Sequence, residues 1–311
     1  AVLAAGAEPV ILDVGPDMHL SMEQDLDELN LSCVLVAHLY GQAACIEKWE
    51  SWAKTRRIKL IDDAAQAVGV QRNGRLCGTY GDLGILSFGP MKNVGTIRGG
   101  ALMTKSETLF REVSKKSLFH EPFVHVATRV ASSVLRYQFA VTLPRPKVPA
   151  AGKRRVVPVE VMTQQVQNWN EAFALSGVEA NLINRVLKRM PHMLEVRRRW
   201  AGRLRAELKK FDHISFPCND VTSSRMIPVR LDSVFKAEQA VKALNRLGVG
   251  AKRIYTPLHI RYRGLSRYVP HRLSCSETCW DEMILLPNPV LSGQAGVDAI
   301  AQGVGAITMN K

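Results

Sequence analysis

The sequence lacks long hydrophobic runs, and none approaches the roughly 20 consecutive apolar residues that a membrane-spanning helix requires. Its first residues, AVLAAGAEPVILDV, also lack a methionine and the basic stretch of a secretory signal. An acidic residue, a proline and a strand-like run follow at once. We therefore expect no targeting segment here, and we expect that the chain starts inside a domain.

Closely spaced cysteines are lacking as well. The six cysteines are scattered, no CxxC pair occurs, and only Cys275 and Cys279 lie near each other along the chain. A zinc site or a disulfide framework needs tighter spacing. The pattern therefore predicts no metal site and favours free thiols in a reducing compartment, which makes the cytoplasm the expected location.

Acidic residues are few relative to basic ones, with 28 Asp and Glu against 42 Lys and Arg and a net charge of +14. Such an excess favours phosphorylated metabolites, nucleic acid or an acidic membrane as partners, although a generally basic surface gives the same count. The most basic stretch, residues 179–211, is typical of a long helix interrupted near Pro191. It matches no nucleic-acid module, so we expect a solvated face and no nucleic-acid partner.

Short apolar segments alternate with helical patterns through the first hundred residues. Strands are predicted at 8–14, 32–41, 58–64, 83–89 and 100–104, and a helix at 44–57. Buried strands separated by helices predict an α/β fold with a mostly parallel sheet. The working residues of such sheets lie at the carboxyl ends of the strands, here around Asp63, Ser87 and Lys92.

The remainder of the chain changes pattern twice. Residues 118–158 are apolar and basic with a single acid, and they predict an insertion with a helix that runs from Phe123 to Val134. That helix would cover the protein's own core or a dimer interface, or else lie on a membrane. Strands at 224–231 and 281–289 and helices at 234–249 and 295–307 predict a small α+β domain. We place the large domain at 1–200 and the small one at 201–311.

Three groups of polar residues follow consecutive predicted strands. Asp62 and Asp63 end one strand, with Gln66 a short turn later, Ser87 ends another, and Lys92 comes five residues after it. The carboxyl ends of parallel strands meet at one edge of a sheet, so these groups can converge on a single cleft.

Two phosphate-binding motifs do not fit this lysine. Lys92 precedes Gly95, Gly99 and Gly100, whereas a P-loop places its lysine after the glycines, and no GxGxxG motif occurs. Pyridoxal phosphate fits better, because it needs a lysine for a covalent bond, a carboxylate against its pyridine nitrogen and a hydroxyl for its phosphate. The carboxylate keeps the ring nitrogen protonated. A helix-capping aspartate, a turn serine and a solvated lysine would give the same pattern.

Several segments resemble the DegT/DnrJ/StrS family of fold-type-I, pyridoxal-phosphate-dependent sugar aminotransferases. They are VAHLYGQ (36–42), IDDAAQAVG (61–69), GTYGDLGILSFGPMKNVG (78–95), GGALMT (99–104), RIYTPLH (253–259) and SETCWDEMILLPNP (276–289). The resemblance covers most of the chain in the right order, apart from about 118–158.

The resemblance assigns roles to four residues. Lys92 matches the lysine that bonds to the cofactor, Asp63 the partner of the pyridine nitrogen, Gln66 a residue near the phenolic oxygen, and Ser87 a phosphate-binding hydroxyl. A lysine rather than a histidine implies transamination and not the family's dehydratase branch. The family further implies a homodimer that moves an amino group, with glutamate as the expected donor, to a nucleotide-linked keto-sugar in polysaccharide or glycoconjugate biosynthesis.

The chain departs from the family pattern in three places. The family's amino-terminal part, with its Gly-Ser/Thr phosphate loop and a stacking aromatic residue, would precede Ala1. Arg98 stands where the family keeps an acid, and Ala172 and Ala174 stand where it keeps an Asn-x-Arg motif. These departures support a rival hypothesis, a degenerate homologue that serves as a scaffold or partner subunit. The charge supports another, a basic protein that binds membranes or nucleic acid.

Overall fold

The computed structural model describes residues 2–90, 92–115, 122–142, 157–158, 174–218, 223–232 and 236–309. The helices within these ranges are α1 (Ile46–Arg56), α2 (Glu107–Ser114), α3 (Phe123–Thr142), α4 (Gly177–Leu208), α5 (Ala237–Arg246), α6 (Leu258–Arg261), α7 (Ser274–Glu282) and α8 (Gly293–Met309). The strands are β1 (Cys33–Ala37), β2 (Lys59–Asp63), β3 (Gln71–Arg72), β4 (Arg75–Leu76), β5 (Leu83–Ser87), β6 (Gly100–Met103), β7 (Val157–Pro158), β8 (Ile214–Ser215), β9 (Met226–Leu231), β10 (Lys252–Arg253), β11 (Tyr262–Arg263) and β12 (Met283–Pro287).

The first sheet has the strand order β1-β2-β5-β6. Its first three strands are parallel, with Ala37 opposite Asp63 and Asp63 opposite Ile85, and β6 closes the edge in the antiparallel direction. This arrangement confirms the predicted mostly parallel sheet. Because the strands are in register, their carboxyl ends form one edge.

Helix α1 covers one face of this sheet. Its buried residues Ile46, Trp49 and Ala53 recur every three or four positions and pack with Val36 and Leu60 of the strands. On β1 and β2 buried residues alternate with more exposed ones, as expected when a sheet buries one face.

The second sheet has the strand order β10-β12-β9-β8 and is antiparallel. Its core combines residues of α4, α5 and α8 with residues of the strands, among them Leu204, Leu244, Val297, Val229 and Ile284. Helix α4 also reaches the first sheet, because Ile183 near its start packs with Phe88 and Val94. The domain boundary that we propose at 200/201 therefore falls inside a helix that contacts both sheets.

The strand predicted at 8–14 is wrong. Only Val14 makes a β-bridge, with Leu20. The backbone groups of this segment bind elsewhere, since Ile11 N–H donates to the carbonyl of Tyr268 and Asp13 N–H donates to the side chain of Gln24. Because the backbone N–H groups of Ile11 and Asp13 hydrogen-bond to groups outside a sheet, this segment does not pair as a β-strand.

The interruption predicted near Pro191 is also wrong, because α4 runs without a break from Gly177 to Leu208. A proline inside a helix removes one backbone hydrogen bond and tends to kink the helix. Here the buried side chains of Ile183 and Leu194 anchor the helix on both sides of the proline.

The helix predicted within 118–158 is present as α3, and part of that segment lies outside the described residues. Val126 is buried, and Arg129 donates a hydrogen bond to Glu179 on α4. This helix therefore covers part of the protein's own core, in agreement with the first of the two placements predicted for it. Within the described ranges, no helix is both long and apolar enough to cross a bilayer.

Candidate active site

Hydrogen bonds beyond the strand ladders join the carboxyl ends of β1, β2 and β5. His38 N–H, just after β1, donates to the carbonyl of Asp63 (2.9 Å), and Ala64 N–H, just after β2, donates to the carbonyl of Ile85 (3.0 Å). Asp63 therefore lies between the ends of β1 and β5, and Ser87 lies two residues beyond its partner Ile85. The structure thus brings Asp63 and Ser87 to one edge, as predicted.

The two neighbouring aspartates have opposite surroundings. Asp62 is completely buried, and its carboxylate accepts hydrogen bonds from Gly78 N–H (2.6 Å) and Tyr80 N–H (3.0 Å) and contacts His38 Nε2 (2.7 Å). Asp63 is half-buried, and its Oδ1 accepts from Ala65 N–H (2.9 Å). Because side chains alternate along a strand, only Asp63 faces the side on which Ser87 lies.

His38 has a single tautomer that satisfies its contacts. Ala44 N–H donates to Nδ1 at 2.9 Å, so this nitrogen accepts and carries no proton. The proton is therefore on Nε2, which donates to Asp62. The His38–Asp62 pair therefore stabilises the carboxyl ends of the strands. In the sequence, the histidine of the HLYG segment indicates this pair.

Ser87 and Lys92 approach each other across Gly89. A Cβ atom placed on Gly89 would lie 3.9 Å from Ser87 Oγ and 3.8 Å from Lys92 Cγ. Lys92 N–H donates to the carbonyl of Gly89 (3.0 Å), which closes the turn that carries the lysine. Within the described part of the chain, Ser87 Oγ makes no hydrogen bond, so this hydroxyl is available to a ligand.

The loop that contains Lys92 is held at both ends. Phe88 N–H donates to the carbonyl of Gly99 (2.8 Å), and Thr96 N–H donates to the carbonyl of Phe88 (2.8 Å). Val94 is fully buried among core residues. Gly95 is required because a Cβ there would lie 2.8 Å from the carbonyl oxygen of Pro90. These contacts fix the backbone on both sides of the lysine.

Gln66 connects the end of β2 in the first sheet to Tyr255, which follows β10 of the second sheet. Its Oε1 accepts from Tyr40 N–H (3.2 Å), and its Nε2 lies 3.5 Å from the hydroxyl of Tyr255. The rings of Tyr40 and Tyr255 stack with centroids 5.8 Å apart, and Tyr255 N–H donates to the Tyr40 hydroxyl (3.1 Å). The segment RIYTPLH therefore reaches the site through Tyr255, a residue that spacing alone did not single out.

Arg98 is neutralised by a carboxylate that the sequence analysis missed. Its Nε lies 2.7 Å from Oε1 of Glu179, whose side chain is 1% exposed, and Nη2 lies 3.2 Å from Oε2. Arg129 adds a third contact at 3.1 Å, and Ser176 forms a capping box with Glu179 at the start of α4. Burial alone would raise the pKa of Glu179, but hydrogen bonds from Arg98 and Ser176 outweigh it and lower the pKa to about 2.

This ion pair changes the interpretation of one departure from the family pattern. The loop that carries an acid in the family carries Arg98 here, and the segment 172–181, where the family has an arginine, carries Glu179. Ala174 lies just before α4, and Ala172 lies outside the described residues. Glu179 thus neutralises the arginine that stands in place of the acid.

A second group of potential ligands contains none of the predicted site residues. Asp17, His19 and Cys218 have one ligand atom each within 4.8 Å of one another. His19 Nε2 accepts from Leu39 N–H (3.3 Å), so its proton is on Nδ1, which faces Asp17 (3.3 Å). Both ring nitrogens are satisfied by hydrogen bonds, which accounts for the group without a metal ion.

The residues at the strand ends fit pyridoxal phosphate. The turn supplies the Lys92 amine, Asp63 has a second carboxylate oxygen without a hydrogen bond among the described residues, and Ser87 offers a hydroxyl. These are the amine, the anionic partner and the phosphate donor that this cofactor requires. They come from neighbouring strands of one sheet.

A model of the DegT/DnrJ/EryC1/StrS aminotransferase family matches residues 1–139 and 150–304. The dTDP-3-amino-3,4,6-trideoxy-alpha-D-glucose transaminase of Micromonospora megalomicea subsp. nigra is 34% identical over 134 residues, 42% of this chain and 36% of that protein. The GDP-perosamine synthase of Caulobacter vibrioides is 24% identical over 305 residues, 96% of this chain and 73% of that protein. The chain thus spans about a third of the first relative's length and about three quarters of the second's.

Solved structures share the fold. Helicobacter pylori PseC, an aminotransferase involved in the biosynthesis of pseudoaminic acid, matches with a TM-score of 0.72 and 16% identity over 98% of this chain and 74% of that chain. The GDP-4-keto-6-deoxymannose-3-dehydratase ColD matches with a TM-score of 0.69 and 17% identity over 97% of this chain and 76% of that chain. These likenesses confirm the predicted α/β fold of the fold-type-I aminotransferases.

Proposed function

Because the chain belongs to the DegT/DnrJ/EryC1/StrS aminotransferase family, we propose that it is a pyridoxal-phosphate-dependent sugar aminotransferase. It would move an amino group from an amino acid, with glutamate as the first candidate, to a nucleotide-linked keto-sugar in polysaccharide or glycoconjugate biosynthesis. The relatives support this substrate class, since their names specify a dTDP-linked sugar and a GDP-linked sugar.

The observation that carries the proposal is the position of Asp63 and Ser87 at the ends of adjacent strands, with Lys92 on the turn that follows Ser87. Pyridoxal phosphate, when bound, supplies an electron-accepting ring and an aldehyde that carries the amino group between substrates. Lys92 would hold the cofactor covalently and, once released, move a proton at the reacting carbon. Asp63 would keep the ring nitrogen protonated, Ser87 would donate to the phosphate, and Gln66 would contact the phenolic oxygen.

Lysine at position 92 supports transamination over dehydration. The fold does not distinguish the two reactions, because both an aminotransferase and a dehydratase are among its structural neighbours. A lysine can hold the cofactor covalently, and its free amine can move protons, whereas the dehydratase branch has a histidine there. Lys92 therefore favours transamination as the reaction of this chain.

The rival hypothesis of a degenerate scaffold loses one of its supports. An unpaired arginine in place of an acid would disturb the loop that carries Lys92. Instead, Glu179 neutralises Arg98, and the loop keeps its hydrogen bonds at both ends. This arrangement supports a site that retains its shape.

The proposal extends to assembly and location. The resemblance implies a homodimer with active sites at the interface, in the cytoplasm. Val124 on α3 is 65% exposed, while Val126 on the same helix is buried. The exposed side of α3 is a candidate for contact with the second subunit or with a membrane surface.

Reconstitution tests the proposed function. The purified chain should develop a visible absorbance band with pyridoxal phosphate, and borohydride should then fix the cofactor onto the peptide that contains Lys92, as measured by mass spectrometry. Lys92→Arg should remove the band, and Lys105→Arg, at an exposed position, should retain it. A folded wild-type chain that forms no band would support the scaffold hypothesis instead.

The amino donor and the acceptor need a second assay. The reconstituted chain should lose its band with glutamate and regain it with a nucleotide-linked keto-sugar, with the aminated sugar detected by mass spectrometry. Alanine and aspartate serve as competing donors. Turnover with an amine but with no nucleotide-linked sugar would contradict the proposed acceptor class.

A further inference from the structure

Two arginines from distant parts of the chain bind the loop that carries Lys92. Arg197 on α4 donates from Nη1 to the carbonyl of Asn93 (2.9 Å), and Arg225, just before β9, donates from Nη1 to the carbonyl of Pro90 (3.0 Å). Both contacts fall within two residues of Lys92. Among the described residues, each guanidinium uses one N–H donor in this way, and its remaining donors are left for other acceptors.

Asn288 holds the two arginine-bearing segments together. Its Nδ2 donates to the carbonyl of Arg197 (3.0 Å) and to the carbonyl of Ser224 (3.0 Å), and its backbone N–H donates to the carbonyl of Arg225 (2.8 Å). Gly41 lets its own backbone pack closely against Ser224, because a Cβ on Gly41 would lie 2.7 Å from the backbone nitrogen of Ser224. The juxtaposition of the arginines is therefore built into the fold.

The positive charges of this pair are not balanced. Across the described ranges, neither Arg197 nor Arg225 contacts a carboxylate. Burial first, and then the positive charge of Arg225, lower the pKa of Arg197. Within the described ranges, both arginines thus contact the loop of Lys92 without a carboxylate partner of their own.

Asn93 supplies a second, independent observation. The residue is 3% exposed, and its side-chain Nδ2 is a buried donor without a hydrogen-bond partner among the described residues. A buried donor without a partner is unfavourable by itself, because its hydration is lost and nothing replaces it. An acceptor at this point would satisfy it and would also offset the charge of the arginines.

We propose that Arg197 and Arg225, together with the side-chain amide of Asn93, bind the carboxylate of the amino donor. This inference rests on the proposed function and specifies one of its substrates by chemistry. A guanidinium offers parallel N–H donors that match the two oxygens of a carboxylate. The same groups keep the backbone of the lysine loop in place through their bonds to Pro90 and Asn93.

The position of the cluster favours a carboxylate over a phosphate. The amine that exchanges with Lys92 is bonded to the same carbon as the donor's carboxylate, so this anion must lie close to the lysine. The proposed function already assigns the cofactor's phosphate to Ser87, at the end of β5. The diphosphate of a nucleotide-sugar is further from the reacting carbon than the donor's carboxylate.

Anion binding to the chain without cofactor tests the proposal. We expect 2-oxoglutarate, a dicarboxylate that carries no amine, to raise the melting temperature at constant ionic strength set with sodium chloride. Arg225→Gln, at an exposed position, should weaken the apparent affinity by roughly tenfold or more, because a charge-assisted contact is lost. Arg199→Gln, exposed on the same helix as Arg197, is the matched control and should bind as the wild type does.

Each other outcome overturns the proposal. Tighter binding of inorganic phosphate than of 2-oxoglutarate, with loss in Arg225→Gln, would assign the cluster to a phosphate. No stabilisation of the wild type by either anion would leave the arginines as supports of the loop alone. The absorbance band with pyridoxal phosphate is recorded separately, so that a failure of cofactor binding is distinguished from a failure of carboxylate binding.

Discussion

Arg98 and Glu179, 81 positions apart in the sequence, form a two-point ion pair that joins the loop of Lys92 to the first turn of α4. The carboxylate is almost completely buried and also caps the helix through Ser176. Arg129 on α3 also contacts the carboxylate of Glu179, so α3 is connected to the start of α4. Three separate segments thus depend on one glutamate.

Glu179→Gln should destabilise the protein in a pH-dependent way. The pKa of Glu179 is lowered from 4.5 to about 2, so its stabilising effect is fully present above the unfolded value and is lost as the pH falls from about 4.5 towards 2. The shift corresponds to roughly 3 kcal/mol at neutral pH. Chemical denaturation at pH 7 and at pH 3 should show the variant approaching the wild type at the lower pH.

The control for this prediction is Glu107→Gln, which removes an exposed pair with Arg111 on α2. Exposed pairs contribute little, and we expect a change below about 0.5 kcal/mol. A cost for Glu179→Gln that stays constant down to pH 3 would show that the glutamate acts through packing and not through its charge.

Asp62→Asn should mainly reduce stability, whereas Asp63→Asn should mainly weaken cofactor binding. Asp62→Asn places an amide where His38, Gly78 and Tyr80 all donate, so we expect a loss of roughly 3 kcal/mol in the free energy of unfolding. Asp63→Asn should alter stability by about 0.5 kcal/mol or less, because the Asn carbonyl can still accept from Ala65. It should instead weaken pyridoxal phosphate binding by roughly tenfold or more, as measured by absorbance titration.

Equal loss of cofactor binding in both folded variants would contradict this assignment. Thermal melts without cofactor identify any variant that has lost its fold. The two measurements together separate the structural aspartate from the binding one.

Tyr40→Phe should loosen the connection between the two sheets. It removes the hydroxyl that accepts from Tyr255 N–H, and we expect a cost of about 1 kcal/mol. Hydrogen exchange of the Tyr255 amide should become faster, because this amide loses its partner. Tyr268→Phe, which removes an exposed contact with Arg267, is the control and should leave that amide protected.

Gly95→Ala should distort the loop of Lys92. The added Cβ would lie 2.8 Å from the carbonyl of Pro90, so the backbone must shift, at a cost of roughly 1 to 3 kcal/mol. Gly177→Ala is the matched control, since it meets open space at the start of α4 and should stabilise the protein by about 0.5 kcal/mol. Melting temperatures and cofactor titrations of the two variants decide whether the loop geometry matters for binding.

The strand patterns of the first sheet could be predicted from the sequence because they are local. The segments around β1, β2, β5 and β6 are short apolar runs that end in polar or glycine residues, and α1 shows helical spacing. The strand expected at 8–14 failed because its backbone groups bind Gln24 and Tyr268, contacts that no local pattern shows.

The sequence by itself determined the α/β class, the parallel strands and the family, and it pointed to Asp63, Gln66, Ser87 and Lys92 through motifs. Only the tertiary structure decided that Asp62 is buried with His38, that Glu179 neutralises Arg98, and that Arg197 and Arg225 meet at the loop. Periodicity and turn chemistry depend on neighbouring residues, so a sequence displays them directly. Charges that lie far apart along the chain become partners only when packed helices and sheets bring them within hydrogen-bond distance.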